Sequence, residues 1–143
     1  MCGGVEYKER GQLRAVYFPD SEARLPVITK AHRTRLVTWG RRHYEAGALP
    51  VGGWARHESI EEGVWARWNP LPVKIHVRRY MEKDGHNKTH WFDMPPLHVI
   101  QGLVANHGEE QRVYIVTVPA EGEFASIHDR WPRIVQAEPL FKA

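Results

Sequence analysis

Cys2 is the only cysteine of the chain and directly follows Met1. A small second side chain favours removal of the initiator methionine, which leaves Cys2 with a thiol and a free α-amine on adjacent carbons. The ordinary pKa values of these groups, about 8.5 and about 7.7–8.0, leave both partly deprotonated near neutral pH. The amine of such a pair condenses with an aldehyde to an imine, and the thiol closes on the imine to give a thiazolidine. The alternative interpretation is a small buried hydrophobic residue, or a terminus that is frayed.

Glu82 and His128 are candidates for proton transfer. A carboxyl group packed against apolar and aromatic neighbours such as Tyr80 and Met81 has a raised pKa and exchanges protons near neutral pH. The alternative for Glu82 is a solvated turn glutamate beside Lys83. A histidine acts as an acid or a base near neutrality, whereas the alternative for His128 is a loop residue with one backbone hydrogen bond.

Two other catalytic patterns are set aside. The nine histidines include His86 and His90, four positions apart, but the chain has no second cysteine and no H-E-x-x-H motif. The sequence therefore predicts no metal site and no cofactor. Ser126, His128 and Asp129 are too close in the chain to converge as a triad, and no G-x-S-x-G motif supports one.

The composition is typical of a globular protein, with 42% hydrophobic and 26% charged residues among 143. This length suits a single domain over residues 1–143. The lone cysteine excludes an internal disulfide, and no apolar run is long enough to span a membrane, so we expect a cytoplasmic monomer. Arginine supplies 14 of the 20 basic residues, and its planar fork suits phosphate groups.

Short apolar segments with alternating polar residues indicate many strands and one or two short helices, an α+β domain built on a largely antiparallel sheet. Ser59 and Glu62 match a capping box and predict a helix that begins after Ser59. The other predicted elements are strands over 13–18, 25–29, 33–39, 73–77, 91–92, 99–105 and 112–118 and a helical turn over 124–127.

Several of these residues resemble motifs of the SOS-response-associated peptidase (SRAP) family, in the right order along nearly the whole chain. The family begins with Met-Cys-Gly-Arg and continues with Trp-Gly, Asn-Ala-Arg-x-Glu-Thr, Gly-Phe-Tyr-Glu-Trp and Val-Thr…His-Asp-Arg-Met-Pro. The matching segments are Met1-Cys2-Gly3, Trp39-Gly40, Ala55-Arg56-His57-Glu58-Ser59, Tyr80-Met81-Glu82-Lys83, Val116-Thr117 and Ile127-His128-Asp129-Arg130-Trp131-Pro132.

This resemblance implies a compact, mostly β, barrel-like α+β fold with a basic cleft for single-stranded DNA. It implies that Met1 is removed autocatalytically and that Cys2 forms a thiazolidine with the aldehyde of an abasic site. Glu82 would relay protons, and His128 would help to open the abasic sugar. The DNA-binding residues that follow from the resemblance, from charge or from position are Arg56, Arg130, Arg41, Arg42 and Trp54, with Gly3 and Glu58 in support.

The chain departs from the family at four points. Gly4 replaces an arginine, Trp54 stands in place of the asparagine, Lys83 follows Glu82 in place of tryptophan, and the chain is shorter than typical members. Two other functions therefore stay open: a single-stranded-DNA-binding module without covalent chemistry, and a cysteine peptidase that uses Cys2 and His128. If the first interpretation is right, we expect Cys2, Glu82 and His128 to line one pocket that opens on an arginine-rich groove. Arg56 and Glu58, two positions apart, are equally typical of a structural ion pair.

Overall fold

The computed structural model describes residues 2–31 and 33–137 and contains two β-sheets. The smaller sheet is antiparallel throughout. Its four strands, in spatial order, are β2 (Gln12–Tyr17), β1 (Gly4–Glu9), β7 (Arg79–Lys83) and β8 (Thr89–Asp93).

The larger sheet is mixed, because one short strand joins it in parallel. Its main path runs through β11 (Arg130–Pro132), β10 (Glu110–Pro119), β9 (His98–His107), β6 (Leu71–Ile75), β3 (Arg24–Ile28) and β4 (Thr34–Thr38). Two strands lie off this path: β5 (Trp54–Arg56) pairs in parallel with β10, and β12 (Ile134–Gln136) pairs with β9.

The predicted β-rich α+β class is confirmed, but the sheets do not close into a barrel, so that part of the prediction is wrong. β4 meets β10 through an isolated bridge between Trp39, just after β4, and Val113, and through a side-chain hydrogen bond from Arg35 to Gln111. Gly40 follows immediately with a φ of +58° and turns the chain away from the sheet. No ladder forms between the two strands, and the sheet stays open.

Both sheets pack on one apolar core. The smaller sheet contributes Val5 and Tyr80, and the larger one contributes Val27, Ile75 and Ile100, all of them buried. The predicted strands over 73–77, 99–105 and 112–118 all lie in the larger sheet. Its long strands β9 and β10 are buried on both faces, because one face lies in this core and the other contacts a second apolar cluster.

The helical content is small. The α-helix α1 covers His57–Glu61, and 3-10 helices cover Ala66–Trp68 and Gly122–Ser126. The predicted capping box is wrong: the cap residue of α1 is Arg56, and no side chain caps the helix. β5 pairs with β10 up to Arg56, so the helix begins directly after the last paired residue. No helix of the described residues is long and apolar enough to cross a membrane.

Candidate active site

The segment that precedes β1 is held by backbone hydrogen bonds on both of its sides. The Gly3 nitrogen donates to the Met81 carbonyl at 3.0 Å, and the Phe18 nitrogen donates to the Gly3 carbonyl at 3.1 Å. The Trp54 indole nitrogen donates to the Cys2 carbonyl at 2.7 Å. Trp54 therefore supplies a hydrogen-bond donor at the position where the family has an asparagine, and it fixes Cys2 between β5 and β7.

The Cys2 side chain is fully buried. Its thiol donates to the Gly4 carbonyl at 3.3 Å. Burial, and secondly the negative charge of Glu82, raise the pKa of the Cys2 thiol to about 12. The thiol is therefore neutral at rest, and Glu82 is close enough for its charge to act on the sulfur. Met1, whose removal the sequence predicts, lies outside the described residues.

Glu82 lies on β7 and is also fully buried. Burial raises the pKa of its carboxyl to about 7, and the charge of Asp129 acts in the same direction. The prediction of a buried glutamate among aromatic and apolar residues is confirmed, and the solvated turn is excluded. The Tyr80 hydroxyl lies near Cys2 and Glu82: burial raises its pKa most, and the charges of these two groups raise it further. It accepts a hydrogen bond from the Trp131 indole nitrogen at 3.0 Å.

Glu82→Gln should change how the free energy of unfolding depends on pH. The folded-state pKa of about 7 lies above the ordinary 4.5, so the folded protein binds this proton more tightly than the unfolded chain. Wild-type stability should therefore fall as the pH rises from about 4.5 to about 7 and then stay level, a loss of about 3 kcal/mol that the glutamine variant escapes. Urea unfolding of both proteins across this range measures the difference.

Glu58→Gln is a control for this experiment with the opposite sign. The Arg130 guanidinium lowers the pKa of Glu58 to about 2. The stabilisation that Glu58 contributes is therefore present above pH 4.5 and is lost as the pH falls from there to about 2. A Glu82→Gln variant that tracks the wild type at every pH would show that Glu82 titrates normally.

His128 is partly exposed, and its Nδ1 atom has two neighbours that require opposite protonation states. The Arg130 backbone nitrogen donates to Nδ1 at 3.1 Å, whereas the Asp129 carboxylate lies 2.9 Å from the same atom. Nδ1 accepts from Arg130 only when it carries no proton, and it donates to Asp129 only when it does. Burial lowers the pKa of His128, and the charge of Asp129 opposes this effect. The lowered pKa favours the neutral imidazole, whose Nδ1 accepts from Arg130.

Asp129→Asn should lower the pKa of His128, because it removes the anion that stabilises the imidazolium. Nδ1 would then act mainly as the acceptor for the Arg130 nitrogen, and the ring proton would lie on Nε2. An NMR titration of the ring nitrogens, assigned with a His128→Gln variant, measures both effects. Asp129→Glu keeps the charge and should restore most of the pKa, while an unchanged titration in Asp129→Asn would contradict the assignment.

An open cleft of about 580 Å³ lies against this segment. Its lining includes Gly3 and His128 but neither Cys2 nor Glu82, which are fully buried, so the expected single pocket lined by Cys2, Glu82 and His128 is not found. Four aromatic rings make its walls, and Lys83 is its one lysine or arginine among the described residues. The expected arginine-rich groove is therefore not what the cleft presents. The full lining is Gly3, Tyr17, Phe18, Pro19, Trp54, Met81, Lys83, Asp84, Thr89, Trp91 and His128.

Arg41 and Arg42, which the sequence suggested as DNA contacts, point into the protein. Arg41 donates to the Leu49 carbonyl and to the Glu45 carbonyl, each at 2.7 Å. Arg42 is buried, pairs with the Glu45 carboxylate at 3.1 Å and donates to the Phe18 carbonyl at 2.7 Å. These placements favour structural roles, because neither guanidinium is presented to a ligand.

Arg130 is also buried, and it joins three parts of the chain. Its guanidinium forms a two-bond pair with Glu58, at 2.8 and 3.0 Å, and donates to the Thr117 carbonyl at 2.8 Å. Glu58 thus pairs with Arg130 and not with Arg56. Arg56 is exposed and forms no hydrogen bond or ion pair among the described residues. Of the predicted phosphate-binding arginines, Arg56 is the one whose side chain is accessible.

Sequence reasoning gave no role to the Tyr80 hydroxyl, the Trp131 indole or the Asp129 carboxylate beside this site. Tyr80 and Trp131 lie 51 positions apart, and only the packing of the two sheets brings them together. Asp129 directly follows His128, so its proximity was readable, but its contact with Nδ1 depends on the local backbone.

The chain matches no protein-family model, no curated protein and no solved structure. Membership of the SRAP family therefore stays a prediction from the motifs. Among the described residues, no group of three or more histidine, cysteine, aspartate or glutamate side chains is placed to hold a metal ion.

Proposed function

We propose that this protein captures abasic sites in single-stranded DNA through a thiazolidine on Cys2 after removal of Met1. The observation that carries the proposal is the position of Glu82 beside Cys2, close enough for its charge to act on the thiol. Gly3 and His128 line the adjoining cleft, whose lining includes neither Cys2 nor Glu82. The motif resemblance suggests the chemistry, which requires the buried thiol to become accessible from this cleft.

The reaction needs no redox partner. The α-amine of Cys2 adds to the aldehyde of the opened sugar, and loss of water gives the imine. The S–H bond then adds across the C=N bond: sulfur bonds to carbon, and nitrogen gains a proton. A thiol with a pKa of about 12 needs a base for this step, and Glu82, with a pKa of about 7, is half ionised near neutrality and lies beside it.

His128 is assigned to opening the sugar. The closed hemiacetal must lose its hydroxyl proton and gain one on the ring oxygen before the aldehyde is free. A neutral histidine on the wall of the cleft suits both transfers, because one ring nitrogen accepts a proton and the other donates one. The aromatic walls formed by Tyr17, Trp54 and Trp91 suit stacking of the bases next to the abasic site, which depends little on sequence.

The test is a denaturing gel after incubation with single-stranded oligonucleotides that differ only in whether one base is missing. A band that resists heat and detergent is expected with the abasic strand alone, and intact mass measurement should show that Met1 is absent. The same amount of adduct on the intact strand would count against capture of an aldehyde.

A second candidate is a single-stranded-DNA-binding module without covalent chemistry. It is favoured by the full burial of Cys2, because a thiol that never becomes accessible cannot reach a sugar carbon. Equal affinity for intact and abasic strands, with no adduct, would select it. A peptidase acting on other proteins is less well supported, since such a nucleophile works as a thiolate, and the pKa of Cys2 is raised.

A further inference from the structure

One row of residues crosses all four strands of the smaller sheet beside the candidate site. Gly4 pairs with Tyr17 on one side and with Met81 on the other, and Met81 pairs with Trp91. Register partners in an antiparallel sheet point to the same face. The Tyr17 and Trp91 rings approach edge to face at 6.3 Å across the gap left by Gly4. A Cβ on Gly4 would lie 2.9 Å from the Tyr17 ring, so an arginine at this position would have to displace that ring.

Lys83 lies on the next rung of this face. It is two positions beyond Met81 on β7, so the two side chains point the same way, and it pairs with Thr89. All three residues line the cleft that contains Gly3 and His128. Glu82, between Met81 and Lys83, points to the opposite face and into the protein. The cleft therefore has a primary amine on one wall and an imidazole on another.

The Lys83 side chain is exposed and forms no hydrogen bond or ion pair among the described residues. The nearest acid along the chain, Asp84, is already engaged. One of its carboxylate oxygens accepts from the His86 and Lys88 nitrogens, and the other contacts the His90 ring at 2.8 Å. The ammonium group of Lys83 is thus held by no partner and is available to a ligand in the cleft.

We propose that Lys83 is a second aldehyde-reactive amine in this cleft and gives the protein an abasic-site lyase activity. The proposal rests on the proposed function only in taking the same substrate, a single-stranded abasic site. Lys83 first loses its ammonium proton to water. The free amine then adds to the sugar aldehyde, and loss of water forms an imine between the lysine nitrogen and C1′. A base removes a proton from C2′, and the C3′–O bond breaks. The strand on the 3′ side leaves as a 5′-phosphate and takes the electron pair of the C3′–O bond.

His128 is the group placed to accept the C2′ proton, because it lines the same cleft. The groups that face it are Asp129 and Arg130 on its own segment and Lys83 and Asp84 across the cleft. Hydrolysis of the imine by water then returns Lys83 to its free form. The lyase route is distinct from the Cys2 route, because it turns over and cuts the strand, whereas the thiazolidine retains it.

The test uses a Cys2→Ala background, in which no thiol can close on an imine, and a labelled single-stranded abasic oligonucleotide. Borohydride reduces an imine to a stable amine, and peptide mapping locates the modified residue. Reduced adduct is expected on Lys83, and without borohydride the strand should be cut. Lys83→Arg keeps the charge but not the primary amine and should lower cutting by about tenfold or more.

Lys88→Arg is the matched control, an exposed lysine outside the cleft lining, and it should cut like its parent. Oligonucleotide affinity and the unfolding transition of Lys83→Arg should be unchanged, which excludes a folding defect. The proposal is overturned if the reduced adduct maps only to the N-terminal residue, or if Lys83→Arg cuts as fast as its parent. If the wild type forms an adduct on Lys83 and none on Cys2, the proposed function is contradicted and this inference is supported. If it forms an adduct on Cys2 and none on Lys83, the proposed function is supported and this inference is contradicted.

Discussion

Cys2→Ala should abolish the denaturation-resistant adduct that we propose this protein forms with abasic single-stranded DNA. Alanine is small enough for Met1 to be removed, so the variant keeps the free α-amine and loses only the thiol. The imine that remains is hydrolysed by water, whereas the thiazolidine has a second bond to the same carbon. Because Cys2 is the only cysteine, no other thiol can substitute. The measurement is adduct yield on a denaturing gel, and the expected loss is complete within detection.

Two variants separate the thiol from its surroundings. Cys2→Ser keeps a donor for the Gly4 carbonyl and should be as inactive as alanine, because a hydroxyl closes on an imine far less readily. Glu82→Gln keeps the thiol and removes the base beside it, so adduct should form more slowly, by roughly 100-fold if proton transfer limits the rate. A heat-stable adduct that forms at the wild-type level with Cys2→Ala would end the case for thiazolidine chemistry.

Gly40→Ala should destabilise the protein more than Gly108→Ala, although both glycines have the same positive φ. Gly40 has a φ of +58°, and a Cβ there would lie 2.2 Å from the Gly52 carbonyl oxygen and 2.7 Å from the Gly53 Cα. Both are backbone atoms, which cannot rotate away. The left-handed conformation costs about 1 to 2 kcal/mol and overpacking about 1 to 3 kcal/mol, so a loss of roughly 2 to 5 kcal/mol is expected.

Gly108→Ala is the matched control for this prediction. Gly108 has the same φ of +58°, but its Cβ would meet nothing within 4 Å. This variant isolates the conformational cost, so it should lose roughly 1 to 2 kcal/mol. Urea unfolding followed by tryptophan fluorescence measures the stability of both variants. Equal losses of unfolding free energy would mean that the backbone at Gly52 shifts at little cost and would contradict the prediction.

Gly40→Ala should also reduce adduct formation at temperatures where the variant stays folded. Gly53 accepts hydrogen bonds from the Trp39 indole at 3.0 Å and from the Ile115 nitrogen at 2.9 Å, and these position the start of β5. Displacing Gly53 moves Trp54, whose indole holds the Cys2 carbonyl. Gly108 lies in the β9–β10 turn, so Gly108→Ala should leave adduct yield unchanged.

Much of the larger sheet was predictable from the sequence, because its long strands β9 and β10 are apolar runs rich in valine that are buried on both faces. The strand β1 was not predicted. Its buried Val5 and Tyr7 alternate with Glu6 and Lys8, which is a strand signal that the sequence does carry. Only the inclusion of Gly4 depends on the tertiary structure, because the Tyr17 ring lies 2.9 Å from where its Cβ would be. The start of α1 was also misplaced. Ser59 has the composition of a cap, but pairing of β5 with β10 decides where the helix begins.

The arginines show the same limit for the site. Charge and motif suggested Arg41, Arg42, Arg56 and Arg130 as one basic surface. The sequence does not distinguish a solvent-exposed guanidinium from one that bonds to Glu58 or to loop carbonyls. The difference depends on which segments of the chain fold over the arginine side chain.

The sequence by itself determined which atoms are capable of reaction: one thiol, the amine that methionine removal would leave beside it, a glutamate after an aromatic strand and a histidine before Asp-Arg. The reactivity of these groups was decided only by the tertiary structure. Burial moves the pKa of Cys2 up to about 12 and that of Glu82 to about 7, and it does so because two sheets exclude water from both. Water exclusion belongs to no single segment, since residues far apart in the chain must meet to produce it.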